Sequence, residues 1–380
     1  MRKRLGNVFR DDRNMVVAEI GGGSIPASVP VAIRCRQAGY LAVIEAVNDL
    51  AAKGAQAESA RCTILLPEGA QEETLRALED QVRQACLEES LVITGGHTEV
   101  TSAVTRPVVM VSAQGSTMGR SDSVHAAVAA ADGQGDDSAS TEIFDSVHSA
   151  SDAPWSIVVT GRIAMAGTWL LATEREEELR QRFPLKFLDG AKRMGEQLSV
   201  VEAARIIVAA KMDPRGSVLG SRGQQAGAHG GHSEKGAVLP SVTQFKEGSA
   251  QPGAAPFQPP LMVDAADGGI FAALWKLSIM AGKRLKLHGF DIDLLGLPVF
   301  QETIEIADYY GINPYELQST GCLVTVTREP ERLVTCLRES GIHAVTVGTL
   351  HKGEDKNLHN GEECRSLDRP VPDAILRILG

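Results

Sequence analysis

The chain has 380 residues, 43% of them hydrophobic, and a formal net charge of −10 at pH 7. That length accommodates two domains with substantial cores, and no apolar run is long enough to span a bilayer. The acidic balance argues against a general nucleic-acid binder, which would carry a basic surface. Six cysteines, Cys35, Cys62, Cys86, Cys322, Cys336 and Cys364, form no CxxC pair. Such spacing fits neither a zinc ribbon nor a disulfide framework and reads as free thiols in a cytoplasmic protein. The charged start, MRKRLGNVFRDDRN, is followed by no apolar segment of the signal-peptide kind.

In chain order, Met15–Ile20 reads as a strand ended by the glycine-rich loop from Gly21 to Ser24. Gln37–Lys53 follows as a helix, with Leu41, Ile44, Val47 and Leu50 at three-to-four spacing and Gly54 as its stop. Asp49 sits late in this helix, where the dipole disfavours an anion unless a cation neutralises it. Ala60–Leu66 is a predicted strand, Gln71–Ser90 an amphipathic helix, and Leu91–Thr94 and Val108–Gln114 two further strands. From Ser116 to Pro154 the chain turns rich in Ser, Asp, Ala and Gly. This reads as a flexible acidic linker, and its repeated DSVHxA phrase (His125, His148) as punctuation rather than a metal site.

Order is predicted to resume at Trp155 with the strand in SIVVT and a turn at Gly161. A helix opening at Gly167, a charged helical stretch from Glu174 to Arg182 and a strong helix over Leu198–Met212 come next. Arg215–Pro260 reads as a second loose stretch, in which the glycines around His229 and His232 disfavour a metal-binding helix. Leu261–Ile279 then joins a short strand, Asp264, Asp267, the pair Gly268-Gly269 and a helix. Beyond it come a helix over Phe300–Tyr310, a strand in CLVTVT, a helix over Glu329–Ser340, a strand over Ala344–Thr349 and a polar tail.

Two places combine a strand end, glycines and an acid. In TGGHTEV, Gly95 and Gly96 follow an apolar run and precede His97 and Thr98; paired glycines let backbone amides approach an anion. In VDAADGG, Asp264 and the glycines open a helix, a geometry suited to phosphate or its metal. Capping of that helix by Asp264 or Asp267 is the alternative there.

The order of VNDLAAKGA, TILLPEG, ITGGHTEVTSAVTRP, VVTGRIAMAGTWLLA, VDAADGGIFAALWKL and NPYELQSTGCLVTV resembles the aminoimidazole ribonucleotide (AIR) synthase superfamily, most closely its HypE-like branch. The resemblance covers roughly residues 40–115, 155–213 and 261–350. It implies an α+β, two-domain protein, with an N-terminal domain over 1–115, a linker over 116–154, a C-terminal domain over 155–355 and a tail over 356–380. It further implies a homodimer formed through the N-terminal sheets, binding Mg2+ and ATP to phosphorylate or activate a small substrate, with no nucleic acid or membrane partner. Carried onto this chain, Asp49 and Asp264 would hold the metal. Asn48, Gly95, Gly96, Thr98, Gly268 and Gly269 would line the nucleotide, and His97 would join Asp49 and Asp264 in catalysis. The family's N-terminal acids have only Asp11, Asp12 and Glu19 to match them, and the cysteine-ended tail of HypE has no counterpart in Ile378-Leu379-Gly380. A degenerate, nucleotide-binding or regulatory relative is therefore the competing expectation.

Overall fold

The computed structural model describes residues 24–118, 153–212 and 260–380. The strand read at Met15–Ile20, the linker phrase with His125 and His148, and the stretch with His229 and His232 lie outside the described residues.

A four-stranded sheet in the order β1-β4-β2-β3 is built from β1 (Ser24–Val31), β2 (Ala55–Leu66), β3 (Val92–Val100) and β4 (Val108–Thr117). β1 begins where a loop was expected and carries Pro26 and Pro30. Among the described residues it pairs only with β4, so missing amides on its other side cost no ladder bond there. β2 and β3 run parallel, joined by helix α2 (Glu72–Glu88).

Helix α1 (Ala38–Ala52) is apolar almost all round, and of its fifteen residues only Tyr40 and Asp49 escape full burial. A helix of that composition is stable only inside the molecule. One side packs on β1, β2, β4 and α2, and the other on β6 and α6 of the second half, whose ranges follow. Gly54, at φ 74°, provides the left-handed stop read from the sequence.

The second half is a seven-stranded sheet in the order β11-β10-β7-β9-β5-β8-β6. Its strands are β5 (Ser156–Thr160), β6 (Met262–Asp264), β7 (Gly289–Asp293), β8 (Leu323–Thr327), β9 (Ala344–His351), β10 (Lys356–Asn360) and β11 (Glu363–Ser366). β5 is buried on both faces: Val158 joins the core shared with α1, while Ile157 and Val159 join the core on the opposite face. Helices α3 (Met165–Glu174), α4 (Glu176–Leu179), α5 (Leu185–Arg193), α6 (Val201–Met212), α7 (Gly269–Leu285), α8 (Gln301–Tyr310), α9 (Pro330–Glu339) and α10 (Leu376–Leu379) complete the described chain. Helix α5 and strands β7, β10 and β11 were not anticipated. The last two turn the expected polar tail into part of the sheet, through parallel pairing of β10 with β7.

Asn48 fastens the two halves. Its Nδ2 donates to Leu198 O at 2.7 Å, and its Oδ1 accepts from Val200 N at 2.9 Å, both buried. The Asn48 amide is thus committed to backbone. Replacing it by alanine, Asn48→Ala, leaves a buried carbonyl and a buried N–H without partners, an expected loss of about 2–4 kcal/mol. Urea unfolding measures this, and a change under about 0.5 kcal/mol, the level of an ordinary surface substitution, would show that the clamp carries no stability.

Candidate active site

A cleft of about 840 Å3 opens between the two sheets. α1 supplies Glu45 and Asp49 to it, four residues apart and therefore on one face of the helix. The end of β6 supplies Asp264, the turn after it Asp267, and the next helix, α7, Lys276. Arg106, from the loop before β4, completes the charged lining.

Asp49 is neutralised as its position in the helix requires: Lys53 Nζ lies 2.7 Å from its Oδ2. Burial raises the Asp264 carboxyl above its ordinary range. Lys276, 4.0 Å away, and Lys53 oppose that rise, while the charge of Asp49 adds to it. Asp49 and Asp264 therefore feel each other across the cleft, one from each half of the protein.

Glu45, unassigned in the sequence reading, lies deepest. Its Oε1 accepts from Thr320 Oγ1 at 3.1 Å and from Gln318 Nε2. Burial, reinforced by Asp264 and Asp267, pushes its carboxyl from 4.5 up to about 8 against these hydrogen bonds. The signal for it was available: an acid at i−4 from Asp49 within an apolar helix must face the same side.

Gly268 and Gly269, at φ 79° and 67°, start α7 as expected, and a Cβ on Gly269 would stand 2.5 Å from Tyr315 O. The Gly268 amide, however, donates to Asp373 Oδ2 at 2.7 Å. The other oxygen of Asp373 accepts from Ile375 N at 2.9 Å and Gln318 N at 3.2 Å. A cap of α7 thus comes from the far end of the chain. No local pattern in the sequence points to a partner 105 residues away.

Gly95, Gly96, His97 and Thr98 stand elsewhere. The chain does not turn after Ile93 but continues as β3, pairing through Gly95–Val100 with Arg61–Leu66 of β2. Thr94 is the extra residue of a bulge, and Gly96 permits close strand approach, since a Cβ there would lie 2.3 Å from Cys62 O. All four are exposed and none lines the cleft; among the described residues the polar partner of His97 is Glu99, at 3.4 Å. The phosphate-binding turn predicted for this stretch is an edge strand.

Among the described residues no group of three His, Cys, Asp or Glu side chains is placed to hold a metal ion. The donors that do converge, Asp49 and Asp264, are hard oxygens. That pair fits Mg2+, which commonly takes one or two carboxylates and completes its shell with water and substrate phosphate.

The architecture is that of the two-domain AIR synthase-related proteins, an α+β fold with a cleft between two sheets. Residues 14–117 match the family described as "AIR synthase related protein, N-terminal domain". E. coli HypE, a hydrogenase maturation protein, shares the fold at 17% identity and a TM-score of 0.58, over 96% of this chain and 90% of its own. HypE in complex with ATP superposes at 13% identity and 0.58, over 97% and 91%. ThiL complexed with AMPPCP and TMP does so at 13% and 0.56, over 94% of each chain. No curated protein sequence matches the chain.

The position of Glu45 has a consequence for stability. Its folded pKa is raised, so the folded state holds its proton more tightly than the unfolded state. The stabilisation is fully present below about 4.5 and is lost as pH rises through about 8. Glu45→Gln should remove that slope and, at pH 9 in metal-free buffer, melt above wild type by the equivalent of a few kcal/mol. Parallel Tm–pH profiles for the two proteins would show that Glu45 does not titrate in this window.

Proposed function

We propose that the protein is a Mg-ATP-dependent enzyme of the AIR synthase–HypE type, which phosphorylates or activates a small substrate in the interdomain cleft. The observation that carries this reading is the convergence of Asp49 and Asp264, one from each half, on a cleft that also presents Lys276 and Arg106. Relatives of the same fold whose structures hold ATP or AMPPCP support it.

In this reading Asp49 and Asp264 hold Mg2+, which when bound offsets the charge of the phosphate chain. Lys276 and Arg106 supply further positive charge to the phosphates. Phosphoryl transfer needs little covalent chemistry from the protein, so positioning and charge neutralisation carry the catalysis. Glu45, neutral at pH 7 and held by Gln318 and Thr320, keeps the floor of the cleft uncharged beside the acid pair.

The competing reading is a nucleotide-binding relative without turnover. It is favoured by the lysine pairing of both aspartates and by the placement of Gly95–Thr98 away from the cleft. We assign the protein to the cytoplasm; no helix among the described residues is long and apolar enough to cross a membrane.

A homodimer through the four-stranded sheet belongs to the same proposal. β3 is one of its two edges and leaves Val92 64% and Val100 60% exposed, with Ile93 and Met110 also accessible. A long apolar edge of this kind is an aggregation liability that a second copy would cover. Sedimentation should therefore give a dimer at micromolar concentration, and Val92→Lys with Val100→Lys should give a monomer. A wild-type monomer that still binds nucleotide would refute the assembly.

Titration calorimetry with a non-hydrolysable ATP analogue tests the nucleotide site. Wild type should bind with Mg2+ and more weakly in EDTA. Asp49→Asn and Asp264→Asn should each lower Mg2+-dependent affinity at least about tenfold, or about 1.4 kcal/mol. Affinity that is indifferent to Mg2+ and to both substitutions would remove the pair from the site.

A further inference from the structure

A second cavity, of about 620 Å3, lies at the end of the seven-stranded sheet where β5 finishes and β9 begins. The loop after α8 separates it from the first: Gln318 lines the interdomain cleft, whereas Gly321 lines this one. Two arginines and a histidine from three different elements reach it. Arg162 follows β5, Arg338 is in the last turn of α9, and His343 precedes β9.

Both guanidinium groups are anchored without being neutralised. Arg162 stacks over the Phe300 ring, 4.3 Å from its centroid. Arg338 donates from Nε to Ala344 O at 3.0 Å, which leaves its two terminal nitrogens for another acceptor. Among the described residues no carboxylate forms a salt bridge with either arginine. The carboxylate in the cavity lining, Glu202, is already paired with Arg205. The two arginines also bear on His343, whose imidazole is pushed below its ordinary range, first by burial and then by Arg162 and Arg338. The three groups therefore share one electrostatic environment.

Glycines shape the floor. A Cβ at Gly161 would stand 2.3 Å from Gly321 O, and one at Gly321 would stand 2.6 Å from Met165 Cε. Both have positive φ, 73° and 99°, so the two turns approach as closely as backbone allows. Preorganised, unpaired guanidinium groups around an open space match the oxygens of a phosphate, which accepts paired N–H donors.

We propose that this second cavity binds a small phosphorylated molecule, its phosphomonoester dianion held between Arg162 and Arg338 beside His343. The rest of the ligand lies toward Thr160 and Gln197. This site is distinct from the interdomain cleft and does not depend on the nucleotide reading.

The test uses the full chain without Mg2+, titrated with inorganic phosphate and with ribose 5-phosphate by equilibrium dialysis. Saturable binding of both is expected in wild type. Arg162→Ala and Arg338→Ala should each weaken it at least about tenfold, the loss of one charge-assisted contact. Asp264→Asn should leave it unchanged. Thermal melts check that the variants fold, and Arg162→Gln with Arg338→Gln serves the same comparison if the alanine variants do not. No saturable binding, equal binding in wild type and folded arginine variants, or a loss in Asp264→Asn instead would each overturn the proposal.

Discussion

The burial of α1 is the constraint on which the rest of the structure depends. A helix with thirteen of its fifteen residues out of water leaves no room for an unmatched polar group. Asn48 is matched by the backbone around Leu198 and Val200, and Glu45 by Gln318 and Thr320. Each match reaches across to the other half of the protein. The polar residues of α1 thereby fix how the two sheets face each other, and with it the shape of the cleft. Asp49, the one acid of the helix that escapes full burial, points into the space so formed.

The same logic explains how the C-terminal segment serves the cleft. A helix start has amides without internal partners, and at α7 Asp373 takes the amide of Gly268. It does so while accepting from Gln318, whose side chain holds Glu45. One run of polar contacts therefore links α1, the loop before β8, the start of α7 and the end of the chain. Burial raises the carboxyls at both ends of that run, Glu45 to about 8 and Asp373 to about 7. Acids in such surroundings concentrate at functional sites, as well as in structural networks.

The two cavities have opposite electrostatic character. The interdomain cleft gathers Glu45, Asp49, Asp264 and Asp267 with a few cations, a lining suited to a metal and its phosphates. The second gathers Arg162, Arg338 and His343 around a glycine floor. They lie on either side of the same loop, residues 318–321.

Much of the architecture was legible in the sequence, because hydrophobic periodicity and glycine stops are local signals. The helix over α1, its end at Gly54, the α6, α8 and α9 helices, and strands β5, β8 and β9 all follow from period and punctuation. Asp49 and Asp264 could be picked out as acids beside a helix stop and a glycine pair. Their meeting in one cleft could not be derived locally, since it depends on packing between segments more than two hundred residues apart. Tertiary structure also decided the fate of TGGHTEV: β2 offered a parallel edge, and backbone hydrogen bonds along that edge made a strand of what reads as a phosphate turn. It alone placed Asp373 at the start of α7 and brought Arg162 and Arg338 together, because partners so distant in the chain are chosen by how sheets and helices stack, and no periodicity records that choice.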